Sequence, residues 1–242
     1  VSEQCGGNFT LADLGAVFRA HAHEWSAMGG SCPWWSVVTR PEHTGHELPP
    51  AVRARFYFSG ASHAVNVSRD LFARARARVG WLLDFGCGLG RVAFNFLIYG
   101  VAENVVCVDQ SMQHLNRARE QWETHYKSRM RRNGRLHFML STPDLLAAVQ
   151  GRRFDVVHSV LTLQHMVAPL QQVYMEQLCD VLKPGGLGWI QVATKTPGCM
   201  HSCDMRRSAQ EGGMQMHCAS EETLVTIFAA RRCSVQLDRV QQ

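Results

Sequence analysis

The sequence predicts a doubly wound α/β fold with a mostly parallel sheet and a helical N-terminal appendage. From Trp81 onward, short apolar runs alternate with amphipathic segments, and this alternation is typical of repeated strand–helix units. A glycine-rich turn, Gly86-Cys87-Gly88-Leu89-Gly90, follows the first apolar run. Because the alternation is missing earlier in the chain, we expect residues 1–70 to form the appendage and residues 71–242 to form the main, ligand-binding domain.

Each predicted strand is a short apolar run, because the strands of a parallel sheet are buried on both faces. These runs are residues 81–85, 104–108, 136–140, 155–159, 187–193 and 234–240. Between them, apolar residues recur at every third or fourth position, as in a helix with one buried face. The predicted helices are residues 91–99, 111–129, 143–149, 170–182 and 221–230. Ser111 and Ser220 are the expected N-caps of two of these helices, and Pro184-Gly185-Gly186 stops the helix before the fifth strand.

The N-terminal appendage has two predicted helices, residues 11–25 and 68–79, with an aromatic, proline-containing stretch between them. In a doubly wound sheet, ligands bind beyond the carboxyl ends of the strands, so this stretch can cover the site as a lid. Trp34, Trp35 and Tyr57 are then candidate substrate-binding residues. The same aromatic residues can instead form a satellite core, and the sequence leaves these alternatives open.

The charge distribution gives no strong indication of a polyanionic partner. The chain has 25 Lys and Arg and 20 Asp and Glu, a net charge of +5. Two Arg-rich segments, around residues 74–78 and 129–135, lie on a predicted helix face and in a polar loop, so we do not expect nucleic acid as a partner. No apolar run reaches the roughly 18 residues of a membrane span, so we expect no membrane partner. The chain begins with Val, and we expect a processed or partial product of a cytoplasmic protein.

The nine cysteines are scattered, and several fall inside apolar strand-like segments. An odd number in such positions favours reduced, buried thiols over a disulfide framework. One cluster has residue types that suit zinc, namely Cys199, His201, Cys203, His217 and Cys218. Its spacing matches none of the familiar zinc fingers, so we predict no metal site.

The glycine-rich turn carries the strongest functional signal. A strand that ends in Asp84-Phe85 and runs directly into Gly86 and Gly88 requires a tight turn, and glycine lets the main chain approach a ligand closely. The next predicted strand ends in Asp109. A carboxylate there can accept hydrogen bonds from both ribose hydroxyls of an adenosine group. The two features together predict a site for an adenosine-containing cofactor.

These residues resemble class I S-adenosylmethionine-dependent methyltransferases, and the resemblance covers roughly residues 71–240. Segments 82–91, 105–111, 154–165 and 178–186 are similar to four motifs of that family and occur in the family's order. The resemblance implies S-adenosylmethionine as the cofactor. It also implies that Gly86 and Gly88 pass beneath the methionine portion, that Asp84 helps to hold its amino group, and that Asp109 binds the ribose.

Six further residues complete the set of predicted cofactor contacts: Cys87, Gly90, Gln110, Ser141, Asp144 and His158. Two of them are alternatives for one position. The family often has an acidic residue after the third strand that bonds the adenine amino group, whereas this chain reads Leu140-Ser141-Thr142-Pro143-Asp144. Either Ser141 or the displaced Asp144 serves there, and the sequence does not decide between them.

Methyl transfer from a sulfonium is an in-line displacement, so the protein chiefly aligns the reactants and removes a proton where the acceptor requires it. His165 follows the fourth strand and is the first candidate base, and His63 is the second if the appendage covers the site. We expect the acceptor to be a small molecule that is methylated on O or N. An RNA or protein acceptor stays open as an alternative, and the sequence does not predict the oligomeric state.

Two other functions remain to be distinguished. A nicotinamide-dependent oxidoreductase of the Rossmann type fits less well, because its glycine pattern requires glycine at position 91, where this chain has Arg91. A non-catalytic module on the methyltransferase fold would bind S-adenosylmethionine but methylate no acceptor.

Overall fold

The computed structural model describes residues 11–74, 79–130, 133–195, 199–200 and 214–238. Its centre is a five-stranded sheet in the order β3-β2-β1-β4-β5, and every neighbouring pair of strands is parallel. The strands are β1 (Val79–Phe85), β2 (Ala102–Asp109), β3 (Arg135–Leu140), β4 (Phe154–Ser159) and β5 (Leu182–Ile190). Because the strand order reverses between β1 and β4, the carboxyl ends of these two strands flank the position where such sheets bind ligands.

The helices of the described residues fall into an N-terminal group and a group that connects the strands. The N-terminal helices are α1 (Leu11–Ser31), α2 (Pro33–Val37), α3 (Pro50–Phe58) and α4 (Ala61–Ala73). The others are α5 (Ala93–Ile98), α6 (Met112–Gln121), α7 (Leu145–Ala148), α8 (Ala168–Asp180) and α9 (Glu221–Ala230). None of the helices in the described ranges combines the length and the apolar character that a membrane span requires.

Both serine caps predicted from the sequence are present. The Ser111 hydroxyl accepts a hydrogen bond from the backbone N–H of His114 at the start of α6, and Ser220 does the same for Thr223 in α9. Each cap satisfies a backbone donor that has no partner within its helix. The Ser111 cap fixes where α6 begins, directly after the end of β2.

Alternate strand residues pack into two separate hydrophobic layers, which confirms the doubly wound fold. Leu82 and Val105 belong to a layer that also contains residues of α4, α5 and α6. Their neighbours Leu83 and Val106 point to the opposite face, where α7, α8 and α9 contribute the packing residues. β1 and β2 are thus covered by helices on both faces, as their nearly continuous apolar sequences predict.

The sixth predicted strand, residues 234–240, is wrong over the part that the structure describes. Residues 234–238 form no strand and are mostly exposed to solvent. The chain turns at Arg232, where φ is +60°, and the backbone N–H of Cys233 donates to the carbonyl of Phe228. This turn directs the following residues away from the sheet, so an alternating sequence alone does not produce a strand here.

The prediction that the cysteines are reduced is wrong for four of them. Disulfides join Cys179 to Cys233 and Cys199 to Cys218, with Cα–Cα distances of 6.4 and 5.8 Å. The first pair connects α8 to the residues after α9, so its partners come together only through the packing of these two helices. In the described residues, Cys32, Cys87 and Cys107 are free thiols.

Candidate functional site

A cavity lies beyond the carboxyl ends of β1, β2 and β4 and holds about 780 Å³ of empty space, part of it open to solvent. Its floor is made by the turns that follow the strands. Its other wall comes from the N-terminal helices, through Trp25 of α1 and Ser36 and Val37 of α2. Eight of the ten predicted cofactor residues line this cavity: Asp84, Gly86, Cys87, Gly88, Asp109, Gln110, Ser141 and His158.

The turn after β1 has the backbone geometry that the glycines predict. Gly86 and Gly88 have φ values of +73° and +52°, in a region that residues with a Cβ rarely adopt. A Cβ at Gly88 would lie 2.7 Å from Val37 Cγ2. Gly90 has a φ of +76°, and a Cβ there would collide with the Phe94 ring of α5. Gly90 therefore serves helix packing and does not line the cavity.

Asp109 ties this turn to the start of α6. Its Oδ2 accepts a hydrogen bond of 2.8 Å from the backbone N–H of Gly88, and its Oδ1 accepts one of 2.9 Å from that of Ser111. A carboxylate has about four acceptor positions, so both oxygens retain capacity toward the cavity. The arrangement holds the carboxylate in one orientation while leaving it able to accept two further hydroxyl groups.

Asp84 and His158 form a buried pair on neighbouring strands. Asp84 Oδ1 accepts a hydrogen bond of 2.8 Å from Nδ1 of His158, and the two residues are 3% and 1% exposed. Asp84 Oδ2 is buried without a hydrogen-bond partner among the described residues. An orphaned carboxylate oxygen in a low-dielectric cavity is costly, so this atom is suited to a cationic donor from a ligand.

His63 lies behind His158 and does not line the cavity. The two imidazole rings are in edge contact, with centroids 5.4 Å apart. The pKa of His63 is lowered from 6.5 to about 4, chiefly by burial and also by the neighbouring His158 and Arg91. The structure therefore keeps His63 neutral at physiological pH but separates it from the cavity by another ring.

Ser141 and Asp144, the two candidates for the adenine contact, occupy different environments. Ser141 is buried on the cavity wall, and its backbone N–H donates to the carbonyl of Asp109 at 2.8 Å. Asp144 is the N-cap of α7, where its side chain accepts from the backbone N–H of Ala147. The geometry thus favours Ser141 and gives Asp144 a structural task away from the cavity.

His165 lies beside the cavity and does not line it. It borders a smaller pocket with His21 and Trp25, and its ring lies 5.4 Å from that of Trp25. Its Nδ1 donates to the carbonyl of Gln215 at 3.0 Å, and burial lowers its pKa. Its carbonyl accepts from His21 Nε2, and Gln110 donates to Nδ1 of the same His21. This network connects α1 to the segments that follow β2 and β4.

The three aromatic residues predicted to bind substrate do not line the cavity. Trp34 and Tyr57 are buried in the core, where their rings meet edge to face. Tyr57 Oη donates to the carbonyl of Leu89, which supports the glycine turn from behind. Trp35 is partly buried and lies outside the cavity wall. The structure contradicts the prediction that Trp34 and Tyr57 bind substrate, because both side chains belong to the core that α2 and α3 build against α5.

Sequence reasoning missed the residues of the appendage that do reach the cavity. Trp25, Ser36 and Val37 line it, although Ser36 and Val37 follow Trp34 and Trp35 directly in the sequence. The appendage therefore does both things that the sequence left open: some of its aromatic residues form core, and other residues cover the cavity. Only the three-dimensional packing of α1 and α2 distinguishes the two groups.

Comparison with known proteins shows what this domain is similar to. Residues 82–186 match the model of a methyltransferase domain family. Magnesium protoporphyrin IX methyltransferase (ChlM) from Synechocystis PCC 6803, solved with bound SAM, is similar with 15% identity and a TM-score of 0.54, over 87% of this chain and 85% of that chain. The CcbJ methyltransferase from Streptomyces caelestis is similar with 21% identity and a TM-score of 0.53, over 84% of this chain and 86% of that chain. A search of curated proteins gave no match.

The matched segment begins within β1 and ends within β5, so it contains the glycine turn and Asp109. Residues 82–186 therefore carry the match to a methyltransferase domain, and the chain shares the fold of these solved methyltransferases. This match favours a methyltransferase over the nicotinamide-dependent alternative.

Proposed function

We propose that this protein is an S-adenosylmethionine-dependent methyltransferase that transfers a methyl group to O or N of a small-molecule acceptor bound in the cavity. The observation that carries the proposal is the position of the N-terminal helices. Trp25, Ser36 and Val37 line the cavity opposite the carboxyl ends of the strands. A cavity with walls on both sides suits a small ligand. A nucleic-acid or protein acceptor would require an open approach to this edge of the sheet.

The residues of the cavity fit S-adenosylmethionine. The orphaned Oδ2 of Asp84 suits the ammonium group of the methionine portion, and Asp109 retains acceptor positions for the ribose hydroxyls. Gly86 and Gly88 have no Cβ, so their backbone lies on the cavity wall close to the side chains of Thr162 and Val37. Ser141, buried on the same wall, is the candidate contact for the adenine edge. The bound cofactor supplies an electrophilic methyl group on a sulfonium, and these residues hold and orient it.

The protein then aligns the acceptor with that methyl group and keeps bulk water out. Proximity and orientation account for much of the rate enhancement in such displacements. Val37 packs close to Gly88, so α2 forms a boundary directly above the turn. His165 Nδ1 is occupied by Gln215, and His63 is shielded by His158. A role for either histidine as a base stays a prediction, and the proposed function does not depend on it.

Product analysis tests the proposal. The purified protein is incubated with S-adenosylmethionine and a panel of hydroxylated and amine-bearing small molecules, and mass spectrometry records the gain of one methyl group. Parallel reactions contain total RNA or a mixture of denatured proteins. Methylation confined to small molecules is the expected result, and methylation found only on RNA or protein would overturn it. If the cofactor binds but no acceptor of any class is methylated, the small-molecule proposal fails as well.

A matched pair of glycine variants shows that any activity comes from this cavity. Gly88→Trp places a side chain against Val37 and fills the space above the turn, so we expect it to abolish turnover. Gly151 also has a positive φ, of +71°, but a Cβ there meets nothing within 4 Å. Gly151→Trp therefore carries the same backbone strain without blocking the cavity, and it should remain active.

A further inference from the structure

Arg91 is a buried cation on the cavity wall that the roles described above leave unused. It follows the glycine turn directly, lines the cavity and is 8% exposed. Its Nη1 donates a long hydrogen bond, 3.3 Å, to Ser59 Oγ. Its Nε is buried and has no hydrogen-bond partner among the described residues. A guanidinium has five N–H donors, so most of its bonding capacity is not used by the described part of the protein.

The charges around Arg91 do not neutralise it by direct bonding. Burial lowers the pKa of Arg91, Asp84 raises it and Arg40 lowers it further. Asp84 directs Oδ1 to His158 and forms no hydrogen bond with Arg91 in the structure. An arginine side chain remains protonated in proteins, and a buried cation is costly unless an anion pairs with it. The cavity therefore presents a positive group whose unused N–H donors are available to an anionic ligand.

We propose that Arg91 is a carboxylate-binding residue of this cavity. The planar guanidinium presents two parallel N–H groups that match the two oxygens of a carboxylate. Two sources supply this chemistry. One is the α-carboxylate of the cofactor's methionine portion, since the free Oδ2 of Asp84 in the same cavity suits the adjacent ammonium. The other is an acidic group on the acceptor, and this second source deepens the proposed function by naming a substrate class.

Calorimetric titration of two ligands tests the first source. S-adenosylhomocysteine carries the amino acid portion, whereas 5′-methylthioadenosine lacks it. If Arg91 binds the cofactor carboxylate, Arg91→Gln should weaken the binding of S-adenosylhomocysteine about ten- to hundredfold. This is the usual effect on affinity of losing a hydrogen bond between charged groups. Binding of 5′-methylthioadenosine should stay the same. Arg91→Lys keeps the positive charge but loses the two parallel N–H donors, so its affinity for S-adenosylhomocysteine should lie between those of Arg91→Gln and the wild type.

The second source is tested on protein saturated with S-adenosylhomocysteine. Saturation-transfer NMR compares benzoate with benzamide and phenylacetate with phenylacetamide, so each acid has a neutral partner of the same shape. If Arg91 binds an acceptor carboxylate, the wild type prefers the acids, and Arg91→Gln loses this preference while its affinity for S-adenosylhomocysteine is unchanged. Arg69→Gln, which removes an exposed guanidinium from α4, is the control for charge alone.

The proposal is overturned if Arg91→Gln binds S-adenosylhomocysteine as the wild type does and the wild type shows no preference for acids. Thermal melting of each variant confirms that it is folded before binding is compared. All of these measurements record binding and not turnover. A failure to methylate any small molecule would therefore contradict the proposed function without touching the role of Arg91.

Discussion

Replacing Asp109 by alanine removes both acceptors that tie the glycine turn to α6. The backbone N–H groups of Gly88 and Ser111, which donate to this carboxylate at 2.8 and 2.9 Å, lose their partners. A hydrogen bond to a charged group contributes about 1.5–3 kcal/mol, and water entering the cavity replaces part of the two bonds. We therefore expect a loss of about 3 kcal/mol, which lowers the melting temperature of a domain of this size by roughly 6–12 °C.

The matched control is Asp144→Ala, because the same substitution there removes a helix cap away from the cavity. Asp144 accepts one hydrogen bond of 3.0 Å from Ala147 and is exposed, so its loss should cost about 1 kcal/mol. Calorimetry should show S-adenosylhomocysteine binding at least about tenfold weaker in Asp109→Ala and unchanged in Asp144→Ala. Equal melting temperatures and equal affinities in the two variants would refute the role of Asp109 in both the turn and the site.

Three further predictions address the turn, pH and the disulfide. Gly86→Ala should destabilise the protein, by roughly 1–2 kcal/mol for the left-handed backbone and more for the collision with Thr162; Thr162→Gly should recover only the collision in thermal melts, and no recovery would contradict the contact. Because folded His63 has a pKa of about 4 against 6.5, the unfolded chain binds more protons between these values. In urea titrations, the free energy of unfolding should therefore fall as the pH drops from about 6.5 to 4, and it should fall less steeply in His63→Gln. An equal pH dependence in the two proteins would contradict the prediction. The disulfide Cys179–Cys233 spans a separation of 54 residues, so its reduction should lower the free energy of unfolding by up to about 4 kcal/mol. A reductant should therefore lower the melting temperature of the wild type more than that of a Cys179→Ser/Cys233→Ser variant, and equal decreases would contradict the prediction.

The sequence predicts the strands best where burial on both faces leaves a continuous apolar run. Most residues of β1, β2 and β4 are buried, and such apolar runs are recognisable without knowledge of their neighbours. The segment after Cys233 alternates apolar and polar residues, a pattern that is also compatible with a strand, yet it forms no strand in the described residues. Pairing there depends on where the chain goes after α9, and the turn at Arg232 together with the disulfide to Cys179 decides that direction.

Some residues of the candidate site can likewise be predicted from local sequence, and others depend on tertiary packing. Asp84, Gly86 and Gly88 lie within one turn, so their spacing already places them together. Asp109 follows from the rule that carboxyl ends of neighbouring parallel strands meet at one edge. The sequence does not decide between Ser141 and Asp144, because the difference arises only when α7 begins at Leu145 and takes Asp144 as its N-cap.

The N-terminal helices cover the cavity through packing between segments that are distant in sequence. Because of this packing, the appendage is not structurally independent of the sheet. Trp34 and Tyr57 belong to the same hydrophobic layer as Leu82 and Val105 of the sheet, while Val37 reaches the glycine turn. Removing the N-terminal helices would therefore expose a face of the sheet as well as open the cavity. We infer that acceptor specificity in this protein cannot be transferred by exchanging the appendage alone, because the side chains that cover the cavity are positioned by the ones that build the core.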